Sequence, residues 1–563
     1  MSSPTGAWLL EQPKERQTPE IKVEFYRRDN LKLDYYRGSG RSFTALKLLL
    51  VPSYRSTDFE VHRNWLAITH SLPLSEWYIN DTSEWTLDYP PLFAWFEWLL
   101  SQAAAYVEPG MLNVSSVGFD SPSTILFQRC TVIVSDVVLL GAAYAVTRPS
   151  QGHTRRSGLV TFFLVAANAG LLMVDHCHFQ FNGMLLGVLL WATHAAQRGS
   201  ATLACLLFAA LINAKHLFAY AGPVFLVYLM RSYCCCGVSS SSTPSRQSRT
   251  PASQEGLARD VAWQQRGWEK RSSCSLGVEA GGGGSSGAGG TRSGGFLWGR
   301  CIRRFLWLGA VGASVTALAF GPFLALGQGP QLLRRLFPFG RGLVHAYWAA
   351  NIWALYCGLD KLAAAVLPLM GVGVEKVAGN LAGGLVGVAR FSVLPQVEPG
   401  ATMLLVLLAL APCLVFLWRH PHPRHLPSAV AYAYLSGFVF GFHVHEKAAL
   451  MALLPLAASA TGSRAAAADF LVLSSAAHYA LFPLLYRPEE YHIKLLMALL
   501  YFAACHAGLA WVLQEQAGTS NEGKDQQQQV LQQQQQQQQQ QHAKPMSSSS
   551  KAGQSSTMCP IYM

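Results

Sequence analysis

Charge is scarce in this chain. Lys, Arg, Asp and Glu together make up 13% of 563 residues, against about 25% in an average soluble domain. The 12 cysteines form no Cys-x-x-Cys pair, which removes the spacing expected of a zinc site or a disulfide framework. Many lie inside apolar runs (Cys130, Cys177, Cys205, Cys413, Cys505) and read as small hydrophobes. The triplet Cys234-Cys235-Cys236 directly follows an apolar run and is a candidate for S-acylation. No Walker motif or glycine-rich nucleotide loop is present, so a soluble nucleotide sugar is not supported as a donor. Residues 1–42 are polar, with no apolar core and no cleavage site, unlike a signal peptide. What the chain has instead is apolar mass: 51% hydrophobic residues, including 28 Phe and 15 Trp. That balance excludes a disordered protein, a nucleic-acid binder and an ordinary soluble enzyme. The net charge of +12 sits mainly on loops and reads as membrane orientation.

A spanning helix takes about 20 mostly apolar residues. The runs 124–147, 158–174, 183–199, 304–327, 402–418, 427–443, 448–462, 468–486 and 493–514 qualify. The run 201–232 is too long for one span and is interrupted by Asn213, Lys215 and His216, predicting two segments around a break. Residues 346–395 add broken apolar pieces, for roughly eleven to thirteen spans in all. The first apolar run, Phe43–Val51, is short for a span. The expected fold is therefore an all-α polytopic membrane protein. A polar segment 1–42 precedes a membrane module 43–232, and a Ser/Gly/Arg-rich insertion 233–296 precedes a second module 297–516. A Gln/Ser-rich tail 517–563, with ten consecutive Gln at 532–541, closes the chain. The insertion and the tail are expected to be disordered.

Charge sets the orientation. Residues 52–120 hold nine acids against Arg55 and Arg63, whereas 148–157 carries Arg148, Arg155 and Arg156 and no acid. Segment 234–304 has ten basic residues against four acids. Basic loops stay cytoplasmic, so 52–120 faces the opposite side. Both glycosylation sequons, at Asn80 and Asn113, fall in that acidic loop.

Five polar clusters gather on the same side. Thr57–Trp65 holds Asp58, Glu60 and Arg63, and its carboxylates are either general-base candidates or solvated loop acids. Ser83–Pro91, containing Asp88 and Tyr89, leads into an aromatic stretch suited to an interfacial helix, a sugar platform or an aromatic belt. Asp175-His176-Cys177-His178-Phe179-Gln180-Phe181-Asn182 lies between two apolar runs. It could ligate a metal, hydrogen-bond sugar hydroxyls or close a turn. Phe442-His443-Val444-His445-Glu446-Lys447 puts four ionisable groups between two apolar helices, where Lys447 and His445 could grip a phosphate. Arg334, Arg335 and Arg341 suggest an anionic lipid ligand or contact with headgroups.

The runs Thr57–Trp65, Leu87–Pro91, Val174–Asn182, Arg335–Gly342 and Phe442–Lys447 resemble those of the dolichyl-phosphate-glucose-dependent glucosyltransferases of the endoplasmic reticulum, members of the GT-C superfamily. The resemblance covers about residues 43–510. Of two branches, Arg63–His70, Thr82–Asp88 and His345–Tyr356 are more similar to the one that adds the second glucose to the lipid-linked oligosaccharide. The family has a full first helix before Asp58, so here that helix is expected to be short or partly outside this sequence.

The resemblance implies dolichyl phosphate glucose as donor and Glc1Man9GlcNAc2-PP-dolichol as acceptor. It also implies a new α-1,3 bond and a multi-pass endoplasmic reticulum protein whose active site faces the lumen. A β-linked donor and an α product require inversion, and one carboxylate base suffices. That base is expected at Asp58, with Asp88 in reserve. His445, Lys447 and Arg341 are expected to support the leaving phosphate, and His176, His178 and Gln180 to line the cavity. Glu60, Arg63, Tyr89, His443 and Glu446 complete the expected substrate-binding set. The lipid bilayer is an expected partner and nucleic acid is not. No cofactor or metal is expected, a divalent ion at Asp175 and His178 being the alternative. The competing readings are the enzyme adding the first glucose and, in another class, a lipid or sugar transporter. A transporter commonly carries internal repeats, and none is visible here.

Overall fold

The computed structural model describes residues 38, 40–147, 154–235, 293–338, 342–344, 351–374 and 391–542. These residues are helical and turn-rich, with no β-strand. The chain up to Leu509 forms one compact unit, and a second begins at Ala510. Among the described residues eight helices are long and apolar enough to cross a membrane. They are Pro122–Val146, Arg155–Phe179, His216–Cys234, Trp298–Ala325, Ile352–Met370, Pro399–Arg419, Arg464–Leu484 and Pro488–Gly518. The larger number expected from the sequence counted apolar helices that prove shorter. Asn182–Gln197 has 16 residues, Ala201–Ala214 has 14, Leu426–Phe440 has 15 and Ala449–Ala457 has 9. The predicted interruption of 201–232 is present: the first helix stops at Ala214, Lys215 takes an extended conformation, and a 3-10 turn restarts the chain at His216.

The acidic segment folds into two helices. Ser56 caps Thr57–Ser71, its hydroxyl accepting from the Asp58 amide. Capping of this kind satisfies a backbone donor that the first turn leaves orphaned. Pro90 and Pro91 start the second helix, Pro91–Val107, where a missing amide costs nothing. Trp98, Leu99 and Tyr106 on it are exposed, as an interfacial helix requires. The two helices are tied by a buried contact, His62 Nδ1 to Glu97 Oε1 at 2.6 Å. They share a core in which Phe59, Trp65, Phe93, Phe179 and Phe181 meet largely edge to face.

Arg63, fully buried, donates Nε and a terminal nitrogen to the two Glu60 oxygens at 2.7 Å each and its other nitrogen to the Met111 and Asn113 carbonyls. Glu60 and Arg63 therefore staple the acidic segment. Arg63→Met leaves the Glu60 charge and two carbonyls unpaired, and breaking such a buried pair costs roughly 3 kcal/mol. A lowered Tm of the detergent-purified protein checks it.

One expectation about the flanks needs amendment. The polar segment up to residue 37 and the tail from 543 lie outside the described residues, as does 236–292. The Gln run, expected to carry no structure, instead continues the last helix, Tyr491–His542. Gln is a good helix former, and a helix already nucleated adds residues cheaply.

Candidate active site

Helix ends and breaks that are distant in sequence converge on Asp58. It stands in the first turn of Thr57–Ser71. One of its oxygens, Oδ2, accepts from Lys447 Nζ at 3.0 Å and Gln180 Nε2 at 2.5 Å and lies 3.1 Å from His178 Nε2. His178 comes from the end of Arg155–Phe179, Gln180 from the extended residue after it, and Lys447 from the 3-10 turn Glu446–Ala448. The carboxylate keeps 23% of its side chain accessible, which leaves an approach open. Burial pushes its pKa up, but the Lys447 and His178 charges and hydrogen bonds outweigh this and hold it well below the ordinary carboxylate range.

A second layer continues from Gln180. Its Oε1 accepts from Asn182 Nδ2 at 2.7 Å, the same nitrogen donates to Asp175 Oδ1 at 2.9 Å, and Lys215 Nζ donates to Asn182 Oδ1 at 3.1 Å. The Lys215 ammonium lies 5.0 Å from the centre of the Tyr89 ring. Burial, and next the Lys447 charge, push Lys215 down to about 8, while Asp175, Asp58 and Asp88 pull the other way. Asp88 therefore borders the same group of charges. If the Lys215 charge serves the reaction, transfer falls as pH rises through about 8. Lys215→Arg, which keeps its charge at all working pH values, is expected to remove that alkaline limb from the pH–rate profile.

Other expected residues are placed differently. His176, expected to line the same cavity, instead puts Nε2 2.8 Å from Asp136 Oδ2, which also accepts from buried Lys47 Nζ at 2.6 Å. Three buried groups satisfy one another there, so His176 fixes helix packing. Asp175 accepts from the Gly183 amide at 2.5 Å in the first turn of the next helix, and His178 turns to Asp58. A Cβ at Gly183 would come within 2.2 Å of Asp136, which explains glycine there. Arg335 bonds the carbonyls of Tyr78, Ile79 and Asn80. Arg341 lies outside the described residues.

In the Phe442–Lys447 run, His443 adopts φ 51° and its Nδ1 lies 2.9 Å from the Gly342 carbonyl. The His445 ring is 5.6 Å from it. Glu446 is buried, neither of its oxygens has a hydrogen-bond partner among the described residues, and burial pushes it up to about 7.

Sequence reading gave no site role to Lys215, Asn182, Arg129 or Asp136. The signal was available for three of them, since an ionisable residue inside or between apolar runs is a functional candidate by default.

A carboxylate backed by ammonium and imidazole groups at a junction of membrane helices suits removal of a proton beside an anionic leaving group. The sequence matches the ALG6, ALG8 glycosyltransferase family over residues 43–546. The chain belongs to this family. Membership makes it a polytopic glycosyltransferase and removes the transporter reading. Among relatives in the family is the Arabidopsis thaliana protein named dolichyl pyrophosphate Glc1Man9GlcNAc2 α-1,3-glucosyltransferase. It is 43% identical over 469 residues, covering 83% of this chain and 80% of the relative. Proteins of the same name from Mus musculus and Schizosaccharomyces pombe are 40% and 39% identical, covering 81% and 83% of this chain and 79% and 82% of their own.

Proposed function

We propose that this chain transfers glucose from dolichyl phosphate glucose to the lipid-linked oligosaccharide that already bears one glucose, Glc1Man9GlcNAc2-PP-dolichol. The new bond is α-1,3 and the reaction runs with inversion. The site faces the lumen of the endoplasmic reticulum. The observation that carries this reading is the Asp58 carboxylate held by Lys447 and His178 at a junction of membrane helices. The names of the relatives support the second-glucose step.

In this mechanism Asp58 accepts the proton of the acceptor 3-hydroxyl as its oxygen attacks C1 of the donor glucose. The C1–O bond to phosphate breaks, and its electron pair leaves with dolichyl phosphate. A phosphate leaving group needs positive charge rather than a proton. Lys447 and Lys215, with His445, provide that charge, and no metal or cofactor is proposed.

The test is transfer of labelled glucose by the purified chain to acceptors carrying zero, one or two glucoses. Product from the one-glucose acceptor alone is expected. Product from the unglucosylated acceptor would move the chain to the first-glucose step.

A further inference from the structure

The base and its histidine partner come from segments 120 residues apart in sequence, and the buried side chain that joins them is Arg129. It lies in the helix Pro122–Ser135. One terminal nitrogen donates to the His176 carbonyl at 2.7 Å. The other donates to the carbonyls of Cys177 at 3.0 Å, Tyr54 at 2.8 Å and Ser53 at 3.5 Å. The guanidinium carbon also stands 5.9 Å from the ring centre of Phe59 and 5.8 Å from that of Phe179. Phe59 follows Asp58, and Phe179 follows His178. Arg129 therefore holds, through both backbone and ring, the residues flanking each member of the pair.

The segment it holds is not one the backbone adopts freely. Leu172–Phe179 is π-helical, and Phe179 sits at φ 89°, a region disfavoured for a bulky residue. Such conformations persist only where surrounding contacts over-determine them. Here the contacts are known. Arg129 takes the carbonyls of 176 and 177, the Ser56 hydroxyl bonds the His178 carbonyl, and Asp136 takes the His176 ring. Arg129 and Asp136 lie seven residues apart along the span Pro122–Val146, Asp136 capping the helix that carries Arg129, so the same face grips the segment twice.

We infer that Arg129 is a positioning residue for glucosyl transfer: by bridging the Ser53–Tyr54 and His176–Cys177 carbonyls it sets the Asp58–His178 register. This rests on the reading of Asp58 as the base. A lysine reaches fewer carbonyls and has no planar fork. Misplacement of a reacting group by about 1 Å costs roughly a hundredfold in rate.

The experiment compares wild type, Arg129→Lys, Phe59→Leu and Asp58→Asn, all purified as the full chain. Dolichyl phosphate glucose and the one-glucose acceptor are the substrates, with kcat and both KM values measured per folded molecule. Arg129→Lys is expected to lose at least about tenfold in kcat with KM values within about threefold. A residue with only a structural role would lower yield and Tm and leave kcat per folded molecule unchanged, and that result overturns the inference. Should Arg129→Lys fail to fold, Phe59→Leu decides. A fall in kcat at unchanged KM supports the bridge, and an unchanged kcat overturns it. Activity retained by Asp58→Asn would instead sink the base assignment itself.

Discussion

Asp58→Asn is expected to lower kcat by about 10³-fold, within the range of 10²- to 10⁴-fold that general-base catalysis supplies. The substitution keeps the shape of the side chain and leaves the Ser56 hydroxyl bond to the residue 58 amide in place. What it removes is the site that takes the acceptor proton, together with the charge facing Lys447 and His178. KM for donor and acceptor is expected to change far less than kcat, because no substrate contact through the Asp58 charge is required for binding. Single-turnover transfer of labelled glucose, with folding checked by Tm and gel filtration, measures this. If activity survives, the next candidate is Asp88, which shares the electrostatic surroundings of Lys215 and Tyr89.

The second large effect belongs to Lys447. In the substrate-free protein its ammonium is 3.0 Å from Asp58 Oδ2 and is the strongest influence opposing burial at that carboxyl. A carboxylate held this far down is a weak base. In the proposed mechanism an entering donor phosphate competes for the same ammonium, and Asp58 gains basicity at the moment it is needed. Lys447→Met removes both functions. The leaving phosphate loses a charge, and loss of one such stabilising group costs about 10²- to 10³-fold in kcat.

The pH profile gives an independent reading. In the wild type, Asp58 stays ionised well below the ordinary carboxylate range, so it sets no acid limb near pH 4. With Lys447 gone, burial is less strongly opposed and the carboxyl pKa rises. The acid limb of kcat/KM is then expected to move upward. A variant that loses rate with no shift of that limb would show that Lys447 serves the phosphate alone.

Much of the fold was legible in the chain because membrane helices announce themselves by length and apolarity. The break at Asn213–His216 was visible for the same reason, since polar residues inside an apolar run have to be satisfied somewhere. The span count was less legible. Leu426–Phe440 and Ala449–Ala457 read as full spans by hydropathy, but the chain turns at Gly441 and at the 3-10 segment carrying Lys447. The Asp58, His178 and Lys447 motifs were each visible as charge clusters at the ends of apolar runs. Arg129 was visible as a lone charge within one, yet its partners are backbone carbonyls, and no residue pattern marks those.

The family resemblance supplied Asp58 as the expected base, and the sequence by itself determined an all-α polytopic chain and the acidic segment between Phe43–Val51 and the helix at Pro122. These depend on composition and local order, which a linear chain carries in full. Only the tertiary structure decided which charges meet. It paired Arg63 with Glu60 and brought His176 and Lys47 to the same carboxylate, Asp136, partners their motifs did not suggest. It brought His178, Gln180 and Lys447 to one oxygen of Asp58 across sequence separations of 120 residues and more. A buried charge must find a partner wherever packing places one, and where packing places one is a property of the assembled helices.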